Sequence, residues 1–480
     1  MRPLFAAAAA LSLLTTSLTG SAALAQPRAI SQSERAQGDQ VHPQLLRQYG
    51  GAYGGRQDAY VTRVGKRIAV QSGLSNSERD FQITLLNSPV NNAFAIPGGY
   101  VYVTRQLLAL MNDEAELAAV LGHEIGHVAA RHSNSRSRAS TGTGLLATIL
   151  GAVTGSSAVG QLAGQVGQLY TLRFSRQQEL QSDELGVRYL AGAGYDPLAM
   201  STVLASLADQ NRLDQSSIGS ARANPEWAST HPDPASRVAR ARQRGQQVGR
   251  TPGERNRDAF LAAIDGMIYG DDPRQGVVDG RTFRHPDLRI AFDAPPGYAM
   301  SNAPDAVSIT GQGGQAQFST LAFRGNLTDY VDRVFASLSQ GSSRAPAARV
   351  ERTRLNGLEA AYATTRASTG RQAVDATVFA YAAPSGHFYH FLLVTPAGQG
   401  VGSFGPLVDS FRTLSPGEAS QIRARVIAVR TVRPGDTVER LSRDMAYQDL
   451  QLQRFLVLNG LAQGEPLRPG DKVKLVVWRR

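Results

Sequence analysis

The pentapeptide His123-Glu124-Ile125-Gly126-His127 holds the residues of this chain that are best suited to chemistry. Residues four apart on an α-helix lie on one face, so both imidazoles of the pentapeptide can bind one zinc ion. Glu124 would then lie beside the metal, where its carboxylate can act as a base. The alternative interpretation is a pair of histidines placed by chance on a surface helix.

The residues before the pentapeptide predict the helix that this chemistry needs. Residues 114–121 are mostly strong helix formers, and either Asn112 or Asp113 can cap the first turn. The two histidines should therefore be held on a regular helix.

A catalytic zinc ion needs a third protein ligand and one open position. The metzincin pattern requires glycine and histidine at the positions that Ala130 and Ser133 occupy, so it is excluded. A carboxylate on a second helix is the other standard solution, and Glu179 is the best candidate. Asp183, one turn later, is placed to hold a zinc-bound imidazole by its second nitrogen. A plain pair of helical carboxylates is the alternative.

A β-hairpin is predicted just before the metal-binding helix. Residues 91–96 and 100–103 have the composition of strands, and Pro97-Gly98-Gly99 between them is a turn signal. An edge strand beside a metal lets an extended peptide substrate pair with it. The residues expected to line that edge are Asn92, Ala93 and Phe94. The hairpin can equally be an ordinary part of the fold.

The length of 480 residues predicts about three domains. The chain has no cysteine, so metal ligands must come from His, Asp and Glu. Arg2, the apolar run at 4–14 and Ala23-Leu24-Ala25 predict a signal peptide over residues 1–25. A transmembrane anchor is the alternative, although the run is short for one. These features predict export to the periplasm of a Gram-negative bacterium, as a protein that is soluble or peripheral to the membrane or cell wall.

The net charge of +11 suggests attraction to anionic surfaces such as lipid headgroups or cell-wall polymers. Nucleic acid is not an expected partner, because an exported chain rarely meets it. The densest basic run begins at Arg237 and ends at Arg257, and we interpret it as a solvated helix face.

The predicted fold is multidomain. Residues 30–270 should form a mostly α-helical, zincin-type α+β protease domain with a small sheet, and residues 278–416 an α+β domain with an antiparallel sheet. Residues 425–478 follow the order βααβ. Within the protease domain, we expect residues 145–169 to form a lid or a core helix, and residues 210–228 a loop.

The motifs together resemble metallopeptidase family forty-eight, which includes the CAAX prenyl endopeptidase and bacterial periplasmic relatives. The resemblance covers about residues 30–270 and is carried by Asn92-Ala93-Phe94, Pro97-Gly98-Gly99, Glu116-Leu117-Ala118, the HExxH pentapeptide, Arg131-His132, Ser175-Arg176, the segment from Glu179 to Asp183, and Thr230-His231-Pro232. It implies a gluzincin in which zinc is bound by His123, His127 and Glu179, Glu124 activates water and Asp183 orients a ligand. It also implies that His231 approaches the metal or the oxyanion, as a regulatory or transition-state group.

The C-terminal segment resembles a lysin motif (LysM) through Pro434-Gly435-Asp436-Thr437, Leu458-Asn459-Gly460 and Pro469-Gly470-Asp471. This resemblance implies binding of peptidoglycan or another N-acetylglucosamine glycan. The residues that would contact it are Gly435, Asp436, Thr437 and Asn459. A degenerate module with a structural role is the alternative. The middle domain faintly resembles the photosystem PsbP-like sandwich, and its His285, His387 and His390 are interpreted as structural.

The sequence thus predicts an exported zinc metalloendopeptidase that cleaves misfolded or envelope proteins, including unfolded outer-membrane proteins. The resemblance has one departure: relatives dedicated to outer-membrane assembly carry helical repeats after the protease, and no 34-residue period is found here. The competing hypothesis is a periplasmic chaperone or peptidoglycan-bound scaffold with a latent protease site. A cell-wall hydrolase ranks below both.

Overall fold

The structure is a computed structural model, which describes residues 29–74, 80–132, 174–218, 227, 231, 233–248, 253–338, 349–368 and 373–479. The predicted signal peptide and the predicted lid at 145–169 lie outside the described residues. No described helix is both long and apolar enough to cross a membrane.

The described helices, numbered in chain order, are α1 (Gln32–Gln48), α2 (Gly55–Ala69), α3 (Arg105–Leu110), α4 (Glu114–Ala129), α5 (Arg176–Gly192), α6 (Ala199–Ile218), α7 (Pro234–Val248), α8 (Arg257–Ile264), α9 (Leu327–Leu338), α10 (Gly405–Ser410), α11 (Pro416–Ser420), α12 (Val438–Ser442) and α13 (Gln451–Asn459). The strands are β1 (Gln82–Leu86), β2 (Ala93–Ile96), β3 (Tyr100–Thr104), β4 (Ile268–Tyr269), β5 (Val277–Asp279), β6 (Thr282–His285), β7 (Ile290–Asp293), β8 (Ala299–Ala303), β9 (Ala306–Gly311), β10 (Gly314–Thr320), β11 (Glu351–Leu355), β12 (Leu358–Ser368), β13 (Ala373–Ala382), β14 (Phe388–Pro396), β15 (Arg412–Thr413), β16 (Arg425–Thr431) and β17 (Lys472–Trp478).

The predicted hairpin is present and forms part of a small sheet with the order β1-β3-β2. Strand β3 pairs parallel with β1 and antiparallel with β2, so β2 lies at an edge. Gly98 and Gly99 make the turn with φ angles of +92° and +82°, which residues with a side chain rarely adopt. The turn returns the chain through β3 to α3 and α4, which packs against β2.

Helices α4 and α5 pack closely because glycines face each other where they cross. A Cβ atom added at Gly126 would lie 3.2 Å from the carbonyl oxygen of Ser182, and one added at Gly186 would lie 3.2 Å from the backbone nitrogen of His123. Small residues at such a crossing let two helix backbones approach. This approach brings the carboxylates of α5 to the histidines of α4.

The middle of the chain forms the predicted antiparallel α+β domain. Its seven-stranded sheet has the order β11-β12-β13-β14-β10-β9-β8, and a four-stranded sheet has the order β15-β7-β6-β5. His390 is buried between Tyr330 and Ser319, 2.9 Å and 3.1 Å from their hydroxyl oxygens. His285 Nδ1 accepts a hydrogen bond from the backbone of Leu288. Among the described residues, none of the three middle-domain histidines belongs to a potential metal-binding group.

The C-terminal segment forms β16, α12, α13 and β17, in the predicted βααβ order, and its antiparallel strands take β4 as a third neighbour. Its apolar residues Ile427 and Leu475 belong to the same buried core as Leu117 of α4. Lys474 is fully buried, and its ammonium donates to the carbonyls of Ala109 and Met111 at 2.8 Å and 2.6 Å. The segment therefore packs as part of the same body as α3 and α4.

The prediction of a loop at residues 210–228 is wrong over its first half, because α6 continues to Ile218. The polar composition of this stretch does not indicate a helix. Leu213 is nevertheless buried, and the Gln210 side chain donates to Asp214 one turn later, at 2.8 Å. A single apolar contact and an i,i+4 hydrogen bond are enough to extend a helix that has already begun.

Candidate metal centre

Helix α4 presents His123, Glu124 and His127 from a buried position, as predicted. Asp113 caps the helix through a 2.9 Å hydrogen bond from the backbone nitrogen of Glu116. The side chains of the HExxH residues are almost fully enclosed, and the Nε2 atoms of His123 and His127 lie 3.0 Å apart. The two imidazoles therefore converge on a single point.

Helix α5 brings both predicted carboxylates to this point. Glu179 Oε2 lies 3.6 Å from His123 Nε2, and Glu179 Oε1 lies 3.4 Å from His127 Nε2. Asp183 Oδ1 lies 2.9 Å from His123 Nδ1, on the far side of the ring. Glu179 thus faces the point where the imidazoles converge, and Asp183 contacts the His123 ring on the side away from that point.

His231 completes the group from the segment before α7. Its Nδ1 lies 3.0 Å from Glu179 Oε1 and 3.3 Å from His123 Nε2, while its Nε2 lies 3.6 Å from Glu124 Oε1. One ligand atom each from His123, His127, Glu179 and His231 fit within 4.8 Å of one another. The structure places His231 among the candidate ligands.

Arg237 is the main site residue that sequence reasoning missed. The interpretation of this residue as part of a solvated helix face is wrong, because its side chain is 1% exposed. Its guanidinium bonds to both oxygens of Asp183, at 2.7 Å and 2.5 Å, and to Glu179. The signal that could have revealed it is the helix face it shares with two small residues: Ala241 and Gly245 follow Arg237 at intervals of four, and all three are buried.

His132 holds the second imidazole. Its Nδ1 lies 2.9 Å from His127 Nδ1, and its Nε2 lies 3.1 Å from the side-chain oxygen of Gln181. The amide oxygen can only accept, so a neutral His132 donates from Nε2 and accepts at Nδ1. His127 then carries its proton on Nδ1. The sequence motif Arg131-His132 contains this residue but does not indicate its role.

These tautomers test whether the group fits a cation. Asp183 can only accept from His123 Nδ1, so both His123 and His127 direct a bare Nε2 lone pair at the same point, 3.0 Å apart. His231 Nδ1 lies at the same point, 3.3 Å from His123 Nε2 and 3.0 Å from Glu179 Oε1. Converging lone pairs beside a buried carboxylate need a cation, and three nitrogens with one oxygen suit zinc.

The electrostatics keep the ligands in the state that a metal requires. Burial lowers the pKa of His127 well below its usual value and that of His231 to about 4, so both are neutral near pH 7. Burial alone would raise the pKa of Glu179, but His231 and His127 lower it overall. Burial would also raise the pKa of Asp183, but Arg237 and His123 together lower it overall. Neutral imidazoles and ionised carboxylates are the metal-binding forms.

Two aromatic rings cover the group. Phe174 stacks on His127 with a centroid distance of 3.5 Å, and Trp227 stacks on His231 at 4.2 Å. The backbone nitrogen of Trp227 donates to the carbonyl of Asn91, just before β2. These contacts account for the enclosure of the site.

The predicted substrate strand lies beside the metal group, at the sheet edge. Asn92, Ala93 and Phe94 are all buried, and the Phe94 ring stacks on Tyr102 at 4.8 Å. Their side chains therefore pack in the core.

Three of the four predicted glycan contacts occupy turn and capping positions. Gly435 has a φ of +85°, Asp436 accepts from the backbone of Arg433, and Thr437 caps α12. The prediction for Asn459 is wrong, because its buried amide bonds to both the backbone nitrogen and oxygen of Lys474. That side chain joins α13 to β17 and is not available to a ligand.

Comparison with known proteins assigns this arrangement to a class. Residues 55–245 match the model of peptidase family M48. The beta-barrel assembly-enhancing protease of Yersinia pestis is 34% identical over 226 residues, covering 44% of each chain. Its Escherichia coli (strain K12) counterpart is 35% identical over 214 residues, 42% of each chain. The mitochondrial metalloendopeptidase OMA1 of Schizosaccharomyces pombe is 33% identical over 186 residues, 37% of this chain and 50% of that protein.

The fold and site have the arrangement of a gluzincin-type metallopeptidase, with HExxH on one helix and a glutamate on the next. Residues 55–245 are therefore similar to peptidase family M48. The chain spans about half or less of the length of the curated relatives named above.

Proposed function

We propose that this chain is a zinc-dependent metalloendopeptidase of protein quality control in the periplasm of a Gram-negative bacterium. The observation that carries the proposal is the convergence of His123, His127 and Glu179 beside Glu124 in one buried group. Zinc, when bound, would polarise the scissile carbonyl and lower the pKa of a water molecule to about 7. Asp183 and His132 hold the two imidazoles in the required tautomers.

Glu124 is the general base in this proposal. It is buried beside the ligand group, so its carboxylate can take a proton from the attacking water and return it to the leaving amine. The backbone edge of β2 aligns an extended substrate next to it. A peptide bond, rather than a glycan, suits a site bordered by a strand edge.

The proposed substrates are misfolded or unfolded envelope proteins, including outer-membrane β-barrel proteins. This proposal is supported by the names of the bacterial relatives, which describe beta-barrel assembly. Peptidoglycan and anionic membrane surfaces stay predicted partners, supported by the net charge of +11 and the βααβ module.

Zinc dependence can be tested directly. Purified protein should contain about one zinc ion per chain, lose cleavage of an unfolded outer-membrane protein when a chelator removes the metal, and regain it with added zinc. Cleavage that persists in the zinc-free protein would overturn the proposal.

His231 is proposed to close the site. With His231 among the ligands, the fourth position on the metal is not open to water. His231 must therefore move before catalysis. We expect His231→Ala to keep zinc and to cleave unfolded protein faster than wild type. If cleavage is instead lost while zinc is retained, His231 acts on the oxyanion, where a single donor is worth about 3 kcal/mol.

The enclosure of the site also favours a second candidate function. A chaperone or wall-bound scaffold with a latent protease would keep its metal group covered, as Phe174 and Trp227 do here. This candidate predicts that Glu124→Gln retains the full cellular function of the protein, whereas the peptidase proposal predicts that it does not.

A further inference from the structure

The ring of Phe174 lies among the histidines of the metal group. It stacks on His127 at an interplanar angle of 28°, and its centroid lies 5.2 Å and 6.1 Å from those of His231 and His132. Phe174 is 9% exposed, yet in the part of the chain that the structure describes it does not belong to the apolar core that contains Leu117. A buried phenylalanine ordinarily packs in such a core. This ring instead fills a space formed by imidazoles.

The space that the Phe174 ring fills adjoins the point where a substrate must arrive. The Nε2 atoms of His123 and His127 meet at that point, 3.0 Å apart, and the Phe174 ring covers one face of the same His127 imidazole. Consecutive Cα atoms of a peptide are about 3.8 Å apart, so the side chains that flank a scissile bond must come close to this point. Because the group is buried, the Phe174 ring has to leave before a substrate can enter.

The backbone of Trp227 occupies a second position that a substrate needs. Its nitrogen donates to the carbonyl of Asn91 at 3.1 Å, and its own carbonyl accepts from His231. The carbonyl of Asn92 accepts from Thr104 of β3, so that of Asn91, one residue earlier, points out of the sheet edge. A peptide added to a sheet edge is held by backbone hydrogen bonds of this kind. Groups of the chain itself therefore take both a backbone and a side-chain position of a substrate.

The two aromatic rings over the metal group differ in their other contacts. Trp227 stacks on His231 and also belongs to the main apolar core, which holds it in place. Phe174 does not belong to that core, so less apolar packing is lost when its side chain moves. Phe174 is therefore the ring that an incoming side chain can replace.

We propose that the space filled by the Phe174 ring is a substrate subsite, and that it selects an aromatic residue beside the scissile bond. This inference rests on the proposed peptidase function. The substrate ring replaces Phe174 against His127, and the substrate backbone replaces that of Trp227 at Asn91. Stacking adds to the gain from apolar burial, so an aromatic residue at this position should raise kcat/KM about threefold to tenfold over leucine.

The bonds that the wild-type protein cuts test this preference. Limited digestion of an unfolded outer-membrane protein, followed by mass spectrometry, identifies the two residues that flank each cut bond. Aromatic residues should be enriched about threefold or more at one of these positions, relative to the composition of the substrate. No enrichment at either position would overturn the inference. Absence of all cleavage would contradict the proposed peptidase function instead, and binding would then decide the subsite.

Binding tests the subsite without catalysis, by calorimetry on zinc-loaded Glu124→Gln protein. N-acetyl-phenylalanine amide should bind weakly, because the Phe174 ring occupies the subsite, and adding Phe174→Ala should tighten it about tenfold. In that double variant the amide of phenylalanine should bind about threefold to tenfold more tightly than that of leucine. Adding Phe174→Tyr instead keeps a ring in place and should leave binding weak. Equal binding of the two amides, or no gain from Phe174→Ala, would overturn the assignment.

Discussion

Arg237 lies behind the metal ligands, where its guanidinium bonds to both Glu179 and Asp183. A buried arginine between two carboxylates fixes their orientation, and Arg237 also lowers the pKa of Asp183. At the scale of single residues, the zinc affinity of the site should therefore depend on a side chain that does not touch the metal.

We expect Arg237→Met to lower zinc affinity about 10- to 100-fold, as loss of such supporting contacts does in other zinc sites. Competition with a chromophoric chelator measures this. Arg242→Met, an exposed position on the same helix, is the matched control and should bind zinc normally. Arg237→Lys keeps the positive charge without the bidentate geometry, and its zinc affinity should lie between those of wild type and Arg237→Met. If Arg237→Met binds zinc with wild-type affinity, Arg237 does not contribute to zinc binding.

At the scale of elements, the metal group depends on how closely α4 and α5 approach. Backbone and Cβ atoms of α5 lie 3.2–3.3 Å from a Cβ placed at Gly126, and these atoms cannot rotate away. At Gly122 the nearest atom would lie at 3.4 Å, an ordinary contact. The two glycines of one helix therefore provide a controlled comparison.

Gly126→Ala should push α5 outward and lower both the free energy of unfolding, by about 1 kcal/mol, and the zinc affinity. Gly122→Ala should be neutral or stabilising, because alanine favours a helix by about 1 kcal/mol over glycine. Thermal unfolding with and without zinc separates the two effects. Equal behaviour of both variants would refute the role of helix approach.

The elements that the sequence predicted well are those with a strong local pattern. The HExxH helix, the hairpin with its Gly98-Gly99 turn and the βααβ order all follow from residue types at fixed spacings. The burial of Arg237 did not follow, because it depends on α7 packing against α5, a contact distant in sequence. The burial of Asn459 was not predicted for the same reason, because its hydrogen-bond partner, Lys474, lies in the following strand.

At the scale of the whole molecule, the chain returns after the middle domain to the body that holds the metal group. Tyr269 of β4 pairs directly with Arg425 of β16, and Ile268 pairs with Val426, in antiparallel register. The two chain ends flanking the middle domain thus lie side by side, as in a β-hairpin. Lys474 in the last strand then donates to the carbonyls at the end of α3, just before the metal-binding helix.

This arrangement predicts that the middle domain can be removed and the C-terminal module cannot. Replacing residues 270–424 with Asn-Gly should close a two-residue hairpin turn and leave a folded body that binds zinc. The cost should be modest, since Asn87 loses its bond to Asp272. A chain that stops at residue 270 should fail to fold, because it exposes the shared core. Circular dichroism and zinc content distinguish the outcomes, and a stable truncated chain would contradict the prediction.

The central claim is that Glu124 performs metal-dependent peptide hydrolysis within a zinc site made by His123, His127 and Glu179. The most direct measurement is zinc content together with cleavage of an unfolded outer-membrane protein, for wild type and Glu124→Gln purified in parallel. We predict about one zinc ion per chain in both proteins and cleavage by the wild type alone. Undiminished cleavage by Glu124→Gln would contradict the account.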